Sequence, residues 1–212
     1  MKLLYRGAEA DVFRGEWTGL PAVYKVRKPL DYRLPELDKQ IRSQRTVREA
    51  QMIHLSKLAG VPSPHLYYLS PDEALIVMEF VEGERLKAIL LEPGLGMARI
   101  DALGLELGRE VARLHRAGIM HGDLTTSNAL VDGRGITLID FGLSVHSKRL
   151  EDQAVDLRLI KETLTGAHHN VSKRFMQAFL RGYASVLGKE RADAATRKLA
   201  EIERRGRYAR VE

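Results

Sequence analysis

His121-Gly122-Asp123-Leu124-Thr125-Thr126-Ser127-Asn128 and Thr137-Leu138-Ile139-Asp140-Phe141-Gly142 are the two stretches that decide how this chain folds. Together they set an aspartate, an asparagine five residues on, and a second aspartate twelve residues after that. Moving a phosphoryl group from ATP needs such a set. One carboxylate orients the nucleophile, and an amide with a second carboxylate holds Mg²⁺ against the phosphates. Asp-Phe-Gly alone is too short to carry weight. Both motifs in this order, separated by apolar strand-like segments, point to a kinase-type ATP site.

Upstream, Leu3–Arg14 and Pro21–Val26 read as strands joined by a turn at Trp17–Leu20. Leu37–Ala59 reads as a long helix, with Leu37, Ile41, Val47, Ala50, Ile53, Leu55 and Leu58 as its apolar positions. Gly60-Val61-Pro62-Ser63-Pro64 stops it, because proline lacks a backbone donor and blocks helical continuation. Leu66–Leu69 and Ala74–Phe80 form a hairpin across Ser70-Pro71-Asp72. A lobe boundary falls at Val81–Glu84, giving an N-lobe of residues 1–81 and a reduced C-lobe of residues 82–212. In that C-lobe, Leu86–Leu91 and Ile100–Ala117 are helices, Ala129–Val131 and Ile136–Ile139 are strands around Asp132-Gly133, and 154–165, 171–187 and 190–204 are helical. The fold class is α+β.

Within this frame Lys25, in Ala22-Val23-Tyr24-Lys25-Val26, sits on an alternating strand. A lone strand lysine is ordinarily a solvated edge residue. Beside the two motifs it is read as the ammonium for the α- and β-phosphates, with Glu49 of the following helix as its carboxylate partner. Met78-Glu79-Phe80-Val81 enters the break between lobes, where exposed backbone N–H and C=O groups can read an adenine edge. The phosphate-covering loop departs from expectation. Gly7-Ala8-Glu9-Ala10-Asp11-Val12 keeps one of the three glycines of G-x-G-x-x-G-x-V, and Ala10 replaces the last. Its amides could still approach phosphates, while Glu9 adds repulsion or acts as a gate or positioning group. Gly122 stands where an arginine that docks a phosphorylated activation loop is common, and His121 before it is read as a backbone-bonding structural residue. Thr125 stands where protein kinases usually carry a lysine.

Composition narrows the classes further. A chain of 212 residues can bury a core as one domain or two small lobes. With no cysteine there are no disulfides or thiolate metal sites, which fits a reducing cytoplasm. Met1–Arg14 lacks the apolar core of a signal peptide, and apolar runs such as Ala74–Met78 and Ala88–Leu91 are too short to span a bilayer. The expectation is a soluble, cytoplasmic protein without membrane contact. The charge is +6, from 34 Lys and Arg against 28 Asp and Glu. Arg204, Arg205, Arg207 and Arg210 cluster near the end, and Lys39, Arg42, Arg45 and Arg48 recur at near-helical spacing. Each group is either a solvated face or a phosphate-backbone contact.

Assembled in this way, the chain resembles the small atypical kinase subunit of the KEOPS (EKC) complex, the PRPK family of serine/threonine kinases, in archaeal form. The resemblance rests on Arg6-Gly7-Ala8-Glu9-Ala10, Tyr24-Lys25-Val26-Arg27-Lys28, Arg45-Thr46-x-Arg48-Glu49-Ala50, the His121–Asn128 run and Ile139-Asp140-Phe141-Gly142-Leu143-Ser144. It implies a two-lobed kinase fold with a β-rich N-lobe and a reduced helical C-lobe, which explains the roughly seventy residues after Gly142 and the lack of an Ala-Pro-Glu segment. It also implies ATP and Mg²⁺ as cofactors, Lys25 and Glu49 as a phosphate-holding ion pair, Asp123 as catalytic aspartate, and Asn128 and Asp140 as metal ligands. Members are kinases and ATPases that autophosphorylate and serve threonylcarbamoyladenosine formation in tRNA beside a threonylcarbamoyl-transferase subunit. The basic tail would then lie near that partner and tRNA. Asp156 either buttresses the catalytic loop from a C-lobe helix or is a surface charge. The alternatives are a small-molecule phosphotransferase of kinase fold and a non-catalytic ATP-binding scaffold.

Overall fold

Thr18 and Gly19 both take positive φ, 47° and 84°, the paired left-handed turn whose twist matches two flanking strands. From this hairpin the N-terminal sheet grows. The structure, a computed structural model, describes the backbone of residues 1–208 and the side chains through residue 205. Strands β1 (Lys2–Arg6), β2 (Ala10–Trp17), β3 (Leu20–Arg27), β4 (Leu66–Ser70) and β5 (Leu75–Glu79) form one antiparallel sheet in the order β1-β2-β3-β5-β4. The single strand expected over Leu3–Arg14 is two. The chain leaves the ladder at Gly7, whose N–H donates to the Ala10 carbonyl at 2.9 Å, because Gly-Ala-Glu offers no β-branched or aromatic side chain to hold a pleat. Strand β3 is central rather than an edge, and the face that carries Lys25 is turned toward α1, where Lys25 is buried against Glu49.

Helix α1 (Pro35–Leu58) starts with proline in its first turn and stops at Ala59, followed by left-handed Gly60 at φ 77°. Its buried stripe differs from the apolar periodicity. Thr46, Glu49, Ala50 and Ile53 face inward, whereas Leu37 and Leu58, at the two ends of the helix, are exposed. The inward stripe is therefore part polar, with Glu49 compensated by cations from β3.

Beyond Val81 lie β6 (Glu84–Arg85), α2 (Leu86–Ile89), α3 (Met97–Arg116), β7 (Ile119–Met120), β8 (Ala129–Asp132), β9 (Gly135–Leu138), β10 (Val145–His146), α4 (Leu150–Ala167), α5 (His169–Leu187) and α6 (Lys189–Tyr208). Two minor pairings frame the motif region: β6-β8-β9, and β7 with β10. The β7–β10 pair ties the chain just before His121 to the chain just after Gly142. One apolar cluster runs from Ile53, Ile76 and Met78 through Leu107 and Val111 to Phe175, Phe179 and Tyr183. Helices α3 and α5 meet backbone to backbone. A Cβ at Gly108 would stand 2.0 Å from the Phe179 carbonyl oxygen, and one at Gly182 1.9 Å from that of Leu105, so only glycine fits at either point. Among the described residues no helix is long and apolar enough to cross a membrane.

Candidate active site

Three charged groups far apart in sequence meet beneath the N-terminal sheet. Lys25 Nζ donates to Glu49 Oε1 at 2.6 Å and to Asp140 Oδ1 at 2.7 Å. Burial alone would lower the Lys25 pKa, but the Glu49 and Asp140 carboxylates outweigh it and raise it. Asp140 answers in the opposite sense. Burial would raise its pKa, yet the Lys25 charge, the Lys25 hydrogen bond and the Gly142 N–H hold it low. Asp140 also takes a left-handed φ of 62°, a sparsely populated conformation for a residue with a side chain, here imposed at the point where the chain turns its carboxylate toward Lys25. Phe141 is buried, its ring 5.0 Å from that of His121. The sequence reading missed Arg27. Its Nη2 donates to the other Glu49 oxygen at 2.6 Å, and the signal was its place two residues from Lys25 on the same strand.

The loop from His121 to Asn128 is braced from within and from below. Asn128 Nδ2 donates to the Asp123 main-chain oxygen at 2.9 Å and to Asp123 Oδ2 at 2.7 Å. His121 bonds backbone as expected: Nδ1 receives the Asp123 N–H at 3.3 Å while Nε2 lies 3.2 Å from the Ile139 carbonyl, one tautomer serving both. Gly122 has φ 78°, and a Cβ there would meet the Leu143 carbonyl oxygen at 2.2 Å. Of the two readings of Asp156, the geometry selects the buttress. Its carboxylate is buried and accepts the His121 and Gly122 N–H groups at 2.6 and 2.8 Å. His115 Nε2 lies 3.1 Å from Asp156, and His115 Nδ1 lies 2.7 Å from the Tyr183 hydroxyl, linking α3, α4 and α5 to the loop.

Lys25, Asp140, Asp123 and Asn128 line one cleft of about 640 Å³. Val12, Lys25, Met78, Glu79, Phe80, Val81, Asp123, Asn128 and Asp140 are on its wall, with Leu4, Tyr5 and Thr125 among residues the sequence reading did not assign to it. Glu49 stands behind Lys25, and Gly7, Ala8, Glu9 and Ala10 do not line the cleft. Glu9 is paired rather than repulsive. Its carboxylate binds Arg45 and lies 3.6 Å from Arg33, and the Arg45 hydrogen bond holds its pKa down against burial. Lys28 Nζ reaches the Gly7 carbonyl at 2.8 Å and Asp11 at 3.1 Å, so ion pairs restrain the loop where glycines are missing.

The donor set fits Mg²⁺. That ion takes oxygen ligands and commonly relies on one or two protein groups plus substrate phosphates. Asn128 has spent its Nδ2 on Asp123, which leaves its amide oxygen unspent on the same cleft that the Asp140 carboxylate lines. Among the described residues no cluster of three or more His, Cys, Asp or Glu could hold a metal without such help.

The basic groups divide. On α1, Arg42 pairs with Asp38 at 2.7 Å and Arg45 with Glu9, so neither is free for a phosphate backbone. In the tail, Arg204 and Arg205 are exposed on α6. Arg207 lies on the same helix with its side chain undescribed, and Arg210 lies outside the described residues.

Comparison with known proteins agrees with this geometry. A family model described as the protein kinase domain matches residues 7–169. The chain is 38% identical to the "KEOPS complex subunit Bud32" of Pyrococcus abyssi over 98% of its own length and 96% of that protein. It is 40% identical to the "Probable bifunctional tRNA threonylcarbamoyladenosine biosynthesis protein" of Methanothermobacter thermautotrophicus, covering 97% of this chain but 36% of that one. Among solved structures, WaaP in complex with acyl carrier protein superposes with a TM-score of 0.66 at 19% identity, over 98% of this chain and 88% of that one, a likeness of fold. By fold, motifs and full-length similarity, the chain belongs to the protein kinase family and, within it, to the Bud32 kinases.

Proposed function

We propose that this chain is a serine/threonine kinase and ATPase that uses Mg-ATP as a subunit of a KEOPS-type assembly. It would work beside the threonylcarbamoyl-transferase subunit and the other subunits to support threonylcarbamoyladenosine formation in tRNA. The observation that carries the chemistry is the convergence of Lys25, Asp123, Asn128 and Asp140 on one cleft wall, with Glu49 directly behind Lys25. The assembly is argued from similarity across the full length of a KEOPS subunit. The N-lobe then comprises residues 1–81 and the C-lobe 82–212, working in the cytoplasm.

Each residue has a defined task. Two hinge amides are already committed: Glu79 N–H to the His65 carbonyl at 2.8 Å and Phe80 N–H to the Pro21 carbonyl at 3.1 Å. Val81 N–H is left to donate to a purine edge, with Val12 and Met78 of the N-terminal sheet and Leu130 of β8 as apolar lining for the base. Lys25, aimed by Glu49, donates to α- or β-phosphate oxygens. Asp123 takes or orients the proton of the attacking hydroxyl or water, its carboxylate steered by Asn128 Nδ2. Asn128 and Asp140 would hold Mg²⁺, which when bound neutralises phosphate charge. Val12, just after the Gly7–Ala10 loop, is what reaches the cleft from that side, with the loop itself held by Glu9–Arg45. Catalysis is positional and electrostatic, and a protein hydroxyl and water differ only in which reaches Asp123.

Purified protein given radiolabelled ATP and Mg²⁺, alone and with the transferase subunit, is expected to release phosphate or label itself, more so in the complex. Absence of any label transfer or release in both conditions would overturn the enzymatic reading and favour the scaffold. The tail is assigned to tRNA or the transferase. Replacing Arg204, Arg205, Arg207 and Arg210 by glutamine is expected to weaken tRNA binding by the complex and flatten its salt dependence by up to about four phosphate contacts, with ATP turnover of the isolated chain kept. Equal loss of both would remove the tail from that role.

A further inference from the structure

Glu49 carries more cation than a kinase ion pair requires. Its carboxylate is fully buried on α1, with Oε1 held by Lys25 Nζ and Oε2 by Arg27 Nη2, each at 2.6 Å. Residues 25 and 27 share a face of β3 because strand side chains alternate. Arg27 lies behind Lys25: its side chain is 7% exposed, and unlike Lys25 it does not line the cleft. Among the described residues it ion-pairs with Glu49 alone, and its Nε is buried without a partner. It also packs on the glycine of Asp140-Phe141-Gly142, where a Cβ would stand 3.4 Å from Nη2. Burying a second full charge with one donor unsatisfied is costly, so the site keeps it against a penalty.

We infer that Arg27 is a positioning residue that anchors helix α1 through Glu49 independently of Lys25. The inference rests on the kinase reading above. Lys25 has three donors, two already spent on Glu49 and Asp140, and triphosphate oxygens compete for all of them. A helix pinned by Lys25 alone would loosen each time that ammonium turned to phosphate. Arg27, which does not line the cleft, keeps Glu49 neutralised and inward through the cycle, and its planar fork suits a fixed carboxylate. Helix α1 is thereby held in place without a phosphorylated activation loop, in keeping with Gly122 rather than arginine directly before Asp123.

Hydrogen exchange along residues 46–53 of the full chain, without nucleotide, tests this in Arg27→Met and Lys25→Met, with steady-state ATP kinetics alongside. Arg27→Met is expected to speed exchange about tenfold or more, because the cation left on Glu49 is then Lys25, which is shared with Asp140. Lys25→Met, with Arg27 still committed to Oε2 alone, is expected to stay within about twofold of the unchanged protein. Arg27→Met should also raise the KM for ATP while lowering kcat, since Lys25 loses its aim, whereas a loss of folded protein would lower kcat alone. Should Arg27→Met fail to fold, Arg27→Gln is read by the same criteria. Unchanged exchange in the folded Arg27 variant, or equal loosening in Lys25→Met, overturns the anchor. If the unchanged protein neither binds nor turns over Mg-ATP, the kinase reading falls, and the exchange comparison still decides whether Arg27 holds the helix.

Discussion

Asp123→Ala is expected to lower ATP turnover on the order of 10²–10⁴-fold, the range lost with a positioned general base. The fold should survive. Asp123 is half-buried, and its main-chain oxygen still accepts Asn128 Nδ2 at 2.9 Å once the carboxylate is gone. The His121 and Gly122 N–H groups remain on Asp156. Melting temperature should therefore move by less than about 4 °C, the shift worth roughly 1 kcal/mol in a chain of this size. Asp123→Asn separates shape from charge: it keeps the outline, loses the proton acceptor, and is expected to lose nearly as much turnover. Phosphate release within a few-fold of the unchanged protein in either variant would take Asp123 out of its role.

Asp156→Ala has the largest expected cost in stability. The carboxylate satisfies two backbone N–H groups and approaches the His115 ring, all buried, and removal strands them together. Breaking a buried charged network by deleting one partner costs about 3–5 kcal/mol. At about 2–4 °C per kcal/mol this is a large drop in melting temperature, readable by calorimetry. Turnover should fall too, since the Gly122 N–H leads directly into Asp123. The acid limb carries a second signature. Burial would raise the Asp156 pKa, but the His115 hydrogen bond and charge, the nearby His121 and the Gly122 N–H outweigh it and depress it in the folded state. A depressed carboxylate contributes stability that is fully present above its unfolded value of about 3.9 and is lost as pH falls through the folded value. Asp156→Asn should accordingly flatten the loss of stability below about pH 4. Tyr183, pushed up by burial and by the Asp156 charge, stays protonated throughout. If Asp156→Ala melts like the unchanged protein, the buttress carries no load.

Much of this arrangement is legible in sequence, because local rules and long-range placement agree. The Asp123-to-Asn128 spacing survives folding as a hydrogen-bonded pair, and Lys25 on β3 finds Glu49 on α1. Where the reading slipped, long-range contact won over a local pattern. Glu9 reads as a repulsive intruder in an eroded phosphate loop until Arg45, on a helix that follows two strands later, turns out to hold it. Leu37 and Leu58 fit an apolar helical period, yet the helix rolls to bury Glu49, because two cations wait beneath it. Asp156 was ambiguous since a helix carries no mark of which neighbour its charged face will meet.

The order of motifs, the alternation of the strands and the helical periods therefore determined the α+β kinase architecture and the four charged and amide residues Lys25, Asp123, Asn128 and Asp140 on its cleft wall, because each is a property of chain spacing that folding preserves. Only the tertiary structure decided that Arg27 completes the clasp on Glu49, that Asp156 carries the loop with His115 and Tyr183 beside it, and that α3 and α5 touch through bare glycine backbones. Those contacts join segments tens of residues apart, and which side chains meet there is set by how helices roll and strands order in the packed core, a choice made by burial and charge together.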